Sequence, residues 1–120
     1  MQDYRKLIVW QKAHSLAVRC HQLSRSISRA GNAGLVSQTR RAAESIPANI
    51  AEGSGRHSAA DFANFVDIAI GSSSELEYHL QYLGECELIP ADVCSARKAE
   101  VVEVRKMLIG LKKRLRPPCK

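Results

Sequence analysis

Apolar positions recur at three- and four-residue intervals in four stretches of the chain, and no stretch alternates as a half-buried strand would. From about residue 4 to residue 28, Val9, Ala13, Leu16, Cys20, Leu23 and Ile27 fall on one helical face. Residues 29–34 interrupt the pattern, with Gly31, Asn32 and Gly34 supplying turn chemistry. A second helix, from residue 35 to about 52, carries Leu35, Ala42, Ile46 and Ile50 on one side. Pro47 inside it removes one backbone hydrogen bond and predicts a kink, and Gly53 reads as its C-cap.

Ser58 is placed to cap a third helix, with Asp61 three residues on. Its stripe of Phe62, Phe65, Ala69, Leu76, Leu80 and Leu83 runs to about residue 86. Pro90 suits the first turn of a fourth helix carrying Cys94, Val101, Val104, Leu108, Leu111 and Leu115. Short connections between long helices make neighbours antiparallel. The expected fold is therefore all-α, an up-down-up-down four-helix bundle over residues 1–116 with a flexible tail at 117–120.

A chain of 120 residues suffices for one packed core. Only 5% of it is aromatic, so that core must be built from aliphatic side chains and alanine. The run Gly71-Ser72-Ser73-Ser74 places weak helix formers mid-helix, which predicts a close helix crossing there. It is not a nucleophile elbow, because that device needs a strand-to-helix turn. The first apolar run, residues 7–10, is too short for a secretory or membrane segment, and the four cysteines show no C-x-x-C pair. A cytoplasmic protein with reduced thiols and no membrane contact is expected.

Charge is sorted along the chain. Residues 57–96 contain seven carboxylates and no lysine or arginine, whereas the segments on either side are basic and bring the net charge to +6. On the fourth helix Lys98, Arg105, Lys112 and Arg116 project on one side, with Glu100 and Glu103 away from them. Such a stripe can neutralise phosphates, or it can pair with the acidic third helix of its own or a neighbouring chain. Arg40, Arg41 and Arg56 are further candidates for contact with RNA or DNA. Val102 and Ile109 lie within the basic side, and Leu7 to Trp10 surround the first helix, so apolar surface exceeds one seam and predicts a homo-oligomer.

Catalytic and metal chemistry find little support. His14 and His21 share a helix face beside Cys20, but no carboxylate completes a coordination set at helical spacing. Neither Glu44 nor Glu52 has a histidine one turn away. Stepping five to seven residues back from each histidine never meets an arginine, against a helical nuclease. No enzyme, cofactor or metal is expected. The loop from Gly53 to Ser58, with Arg56, suits either a phosphate or a plain turn between two helices.

Three motifs go further: Val9-Trp10-Gln11-Lys12-Ala13, then Arg40-Arg41-Ala42-Ala43-x-Ser45-Ile46-Pro47-Ala48-Asn49-Ile50-Ala51-Glu52-Gly53, then Phe62-x-x-Phe65-x-x-Ile68-Ala69-x-Gly71-Ser72-x-x-Glu75-Leu76. Over about residues 7–90 the chain resembles the bacterial four-helix-bundle family encoded by intervening sequences of 23S ribosomal RNA genes. The resemblance implies an antiparallel four-helix bundle without enzymatic activity. Through the related accessory variability determinant of diversity-generating retroelements, it also implies a basic pentamer that binds nucleic acid, with the ribosome or a reverse transcriptase as partner. The polar side chains Gln38, Ser45 and Asn49, at the seam edge of the second helix, are expected to bond between helices or subunits.

Overall fold

The computed structural model describes residues 3–116, so the tail at 117–120 lies outside the described residues. Among them there are four α-helices and no strand: α1 (Ile8–Arg25), α2 (Ala33–Ser54), α3 (Ala59–Glu85) and α4 (Ala91–Leu115). Each helix packs on its neighbour in sequence, and α1 closes the ring against α4. The bundle measures 50 × 24 × 21 Å. No helix among the described residues is long and apolar enough to cross a membrane.

The predicted first helix is two pieces. A short 3-10 turn, Tyr4–Lys6, precedes α1 and is capped by Asp3, which accepts a hydrogen bond from the Arg5 backbone N–H. The side chain and backbone N–H of Arg5 hold the Asp3 carboxyl below its usual value. Leu7 lies extended between turn and helix and packs against the core, so the break lets one more apolar side chain turn inward.

α2 is longer than its pattern at both ends. Gly31, at φ +79, makes the turn before it in a conformation that L side chains rarely adopt. α2 stays one helix through Pro47, whose ring is buried. Gly53 is not its cap, which corrects the sequence reading; the cap is Gly55, and Gly53 is buried inside the helix. A Cβ on Gly53 would lie 2.8 Å from both Phe62 Cδ1 and Phe65 Cβ, so the glycine lets α2 approach α3.

α3 begins as predicted, with Ser58 Oγ accepting from the Asp61 N–H at 3.0 Å. It ends in a Schellman turn, where Leu88 N–H reaches the Leu83 carbonyl at 2.9 Å and Glu87 takes φ 59. Pro90 then caps α4.

The core follows the predicted stripes. Leu16, Ile46, Ile50, Leu76, Leu80, Leu83 and Leu108 are fully buried, each contributing about 1.5–3 kcal/mol by leaving water. The serine run in α3 divides its labour. Ser72 shares a 2.7 Å hydrogen bond with Ser45 of α2, so one of the three seam-edge residues bonds between helices as expected, whereas Asn49 donates to Ser45 Oγ at 2.9 Å within α2 itself. Ser73 is buried and donates to the Ile70 carbonyl. Gly71, by contrast, faces outward, and a Cβ added to it would meet no atom within 4 Å, so the close crossing belongs to Ser72 rather than to the glycine.

Among the described residues, Cys20, Cys86 and Cys94 are free thiols. Burial pushes the Cys20 thiol up to about 12, which removes its nucleophilic form near neutral pH. Exposed Cys86 should therefore react with an alkylating reagent in the native protein, while Cys20 should react only after unfolding. Peptide mapping of protein alkylated with and without denaturant checks this, and native labelling of Cys20 would contradict its burial.

Candidate nucleic-acid interface

The predicted stripe on α4 is not an open basic face. Arg105 donates to Glu77 at 2.6 Å and Lys112 pairs with Asp67 at 2.7 Å, both on α3. Arg116 reaches Asn64, also on α3. On the opposite flank of α4, Glu103 meets Lys12, and Glu100 meets Arg19 of α1 and its own neighbour Arg97. The stripe and the acids are well separated, as the helical projection has it. Both sets flank the buried seam, however, and each meets the neighbouring helix of opposite sign. Such partly exposed pairs contribute about 0–1 kcal/mol each, and their larger effect is to fix which helices are neighbours.

The other candidates scatter. Arg40 is half-buried and its Nε has no partner among the described residues. Arg41 is exposed beside Gln38, Ser45, Ser72 and Glu75, in a shallow groove between α2 and α3. Arg56 pairs with Glu52 at 3.2 Å and lies over the Phe65 ring at 4.7 Å, so the loop it sits in is a tied turn. Lys98 is half-buried on α4, toward the other end from Arg116.

Antiparallel packing brings the start of α1, the end of α2, the start of α3 and the end of α4 to one end of the bundle. Lys6 and Arg114 flank one cleft there, floored by Leu7, Val9, Met107 and Leu111. Neither they nor neighbouring Lys113 has a carboxylate within ion-pair reach among the described residues. Arg116 adds a fourth cation, held among the described residues by an amide and a carbonyl oxygen. Of the carboxylates nearby, Asp3, Glu52 and Asp67 are already paired with Arg5, Arg56 and Lys112, and Asp61, in the first turn of α3, has no ion pair among the described residues. The opposite end carries Glu85, Glu87 and Asp92 at the turn from α3 to α4, with Arg25 and Arg29 at the same end.

Positive charge thus concentrates at one end of a 50 Å rod. Sequence reasoning named Arg116 and Arg56 at that end but missed Lys6, Lys113 and Arg114. The available signal was their position on the helix: Lys113 and Arg114 stand off the flank that α3 covers, where Arg105 and Lys112 do not.

Two other features bear on chemistry. Among the described residues, no three histidine, cysteine or carboxylate side chains converge. His79 is buried on α3 with Glu75 at 3.2 Å, and His14 stacks on Trp10 at 4.8 Å.

Fold and surface together define a class: an antiparallel four-helix bundle with its charge sorted end to end. The chain belongs to the 23S rRNA-intervening sequence protein family, whose profile matches residues 5–110. It is also similar to a crystal structure of a protein of unknown function from the S23 ribosomal protein family of Bacteroides thetaiotaomicron, at 30% identity and TM-score 0.80. That match covers 88% of this chain and 99% of the other. No curated protein matches the chain.

Proposed function

We propose that this chain is a non-enzymatic, self-associating accessory protein that binds nucleic acid at the basic end of its bundle. The observation that carries this reading is the set of cations at that end, Lys6, Lys113, Arg114 and Arg116, without carboxylate partners among the described residues, while Arg105 and Lys112 of the α4 stripe are paired. Cations at the last turn also oppose the negative end of the α4 dipole, so they are held there at little cost in stability. Phosphate contacts made this way carry no base specificity and weaken as counterions compete. The family's association with 23S ribosomal RNA genes makes RNA the first probe and duplex DNA the second.

The test is the salt dependence of binding to a structured RNA and to duplex DNA, for the wild type and for a Lys6→Gln, Arg114→Gln, Arg116→Gln variant. The variant should bind about tenfold or more weakly, with a salt slope lower by about 2 to 3. Equal affinity and slope in the two proteins would remove the basic end as the contact.

A second reading is a scaffold that docks an acidic protein without touching nucleic acid. Ile8, 62% exposed in the cleft between Lys6 and Arg114, favours it, because phosphate has no use for an apolar anchor. Binding to neither RNA nor DNA at low salt, with the assembly intact, leaves this reading.

A further inference from the structure

Between α1 and α2 runs a mainly apolar groove of about 380 Å³, within the size range of small-ligand sites. Its α2 wall is Pro47, Ala48 and Ala51, too short to fill the space beside Trp10, His14 and Val18 of α1. Val18 is left 43% exposed there. The rings of Trp10 and His14 lie parallel, with 4.8 Å between centroids and 8° between planes. Tyr4 stands edge-on to Trp10 at 4.9 Å. Two parallel rings one helical turn apart form a ladder that a third flat ring can extend.

One carboxylate lines this groove. Glu44 is exposed and in no ion pair among the described residues, although Arg40 and Arg41 stand one turn before it on α2. The rim is basic. Arg5 lies over the Tyr4 ring at 5.8 Å, and Lys6 follows it. The short turn that carries them is fastened by its Asp3 cap and by Gln11, whose side-chain amide donates to the Arg5 carbonyl at 2.9 Å. Tyr4 lines the groove, and Lys6, about 4 Å further along the turn, lines the cleft of the basic end.

An ionised carboxylate accepts hydrogen bonds, donates none and repels phosphate. The groove therefore suits a flat ring bearing N–H donors, and the rim suits an anion. A nucleotide joins the two. Among the common bases, guanine presents two adjacent donors on one edge, N1–H and the N2 amino group, which match the two carboxylate oxygens. Adenine and cytosine set an acceptor beside their amino group, and uracil flanks its one N–H with carbonyls. A cationic side chain also suits rings and a carboxylate, but Arg5 and Lys6 at the rim repel it.

We infer that the groove between α1 and α2 receives an unstacked guanine of single-stranded RNA. The base extends the Trp10–His14 ladder and bonds to Glu44, while the neighbouring phosphates meet the basic end. This recognition rests on the nucleic-acid binding proposed above and adds selection to it, because phosphates position a strand and a base edge specifies it.

Trp10 is the chain's only tryptophan, so its emission reports on the groove. The test titrates the protein with an oligouridylate carrying one central guanosine, and with strands carrying adenosine or an abasic site in its place. The guanosine strand should quench Trp10 and bind about tenfold more tightly than the abasic strand. Glu44→Gln should keep its melting temperature, since the carboxylate is exposed and unpaired, and should lose about tenfold of the preference for guanosine over adenosine. The Lys6→Gln, Arg114→Gln, Arg116→Gln variant should weaken all three strands alike and leave that preference intact. Equal affinity for the guanosine and abasic strands, Trp10 emission indifferent to the base, or a Glu44→Gln protein with undiminished preference would each overturn the groove as a guanine site. Salt-dependent binding without base preference leaves the basic end as the contact, whereas binding of no strand removes both readings.

Discussion

Replacing Gly53 by alanine should destabilise the bundle by about 2–3 kcal/mol and lower its melting temperature by roughly 10 °C. An added Cβ sits 2.8 Å from Phe62 Cδ1 and from Phe65 Cβ. The Phe62 ring edge can turn away, but Phe65 Cβ is fixed to its backbone, so α2 and α3 must separate. That overpacking outweighs the gain of about 1 kcal/mol that alanine brings to a helix interior. Gly110→Ala on α4 is the control: its Cβ would meet only the Arg114 guanidinium at 3.7 Å, a group that can swing aside. It should stabilise by about 0.5–1 kcal/mol. Thermal unfolding of both variants decides the matter, and a Gly53→Ala protein as stable as the wild type would show that the two helices are free to move apart.

Leu80→Ala should cost more, about 3–4 kcal/mol. Leu80 is fully buried in α3, on a helix packed against both α2 and α4. Alanine removes its apolar contact and leaves a cavity that these two neighbours cannot both collapse into. Chemical denaturation with the slope held fixed reads the loss, and a midpoint unchanged from wild type would contradict the placement of Leu80 at the centre of the core. Leu115→Ala, at a half-buried position near the α4 terminus, should cost distinctly less.

These two predictions differ in how far the sequence foretold them. Leu80 falls on the apolar period of α3, and period alone places it inward. Gly53 gives no such signal. A glycine before Ser-Gly-Arg at the end of an apolar pattern looks like a cap, and a second glycine two residues later takes that role. Only the approach of Phe62 and Phe65 from another helix shows that Gly53 is a spacer.

The α4 stripe has the same lesson for the interface. Helical geometry separates Arg105 and Lys112 from Glu100 and Glu103, and that separation is real. Geometry within one helix says nothing about what stands opposite. Once α3 is placed beside α4, its carboxylates take up two of the four stripe cations, and the surplus charge passes to residues at the end of the bundle that no stripe had marked. The bond of Ser45 to α3 was readable because a hydrogen-bonding group at a seam edge must find a partner, whereas Asn49 found its partner within α2.

The sequence by itself determined four helices, their buried faces, their order around the bundle and the family, because each follows from periodicity, turn residues or motif along a single strand of chain. Tertiary structure alone decided which cations remain available, which glycine is a spacer and which opens outward, and which apolar side chains have no cover. Those properties depend on distances between helices remote in sequence, and no one-dimensional pattern contains them.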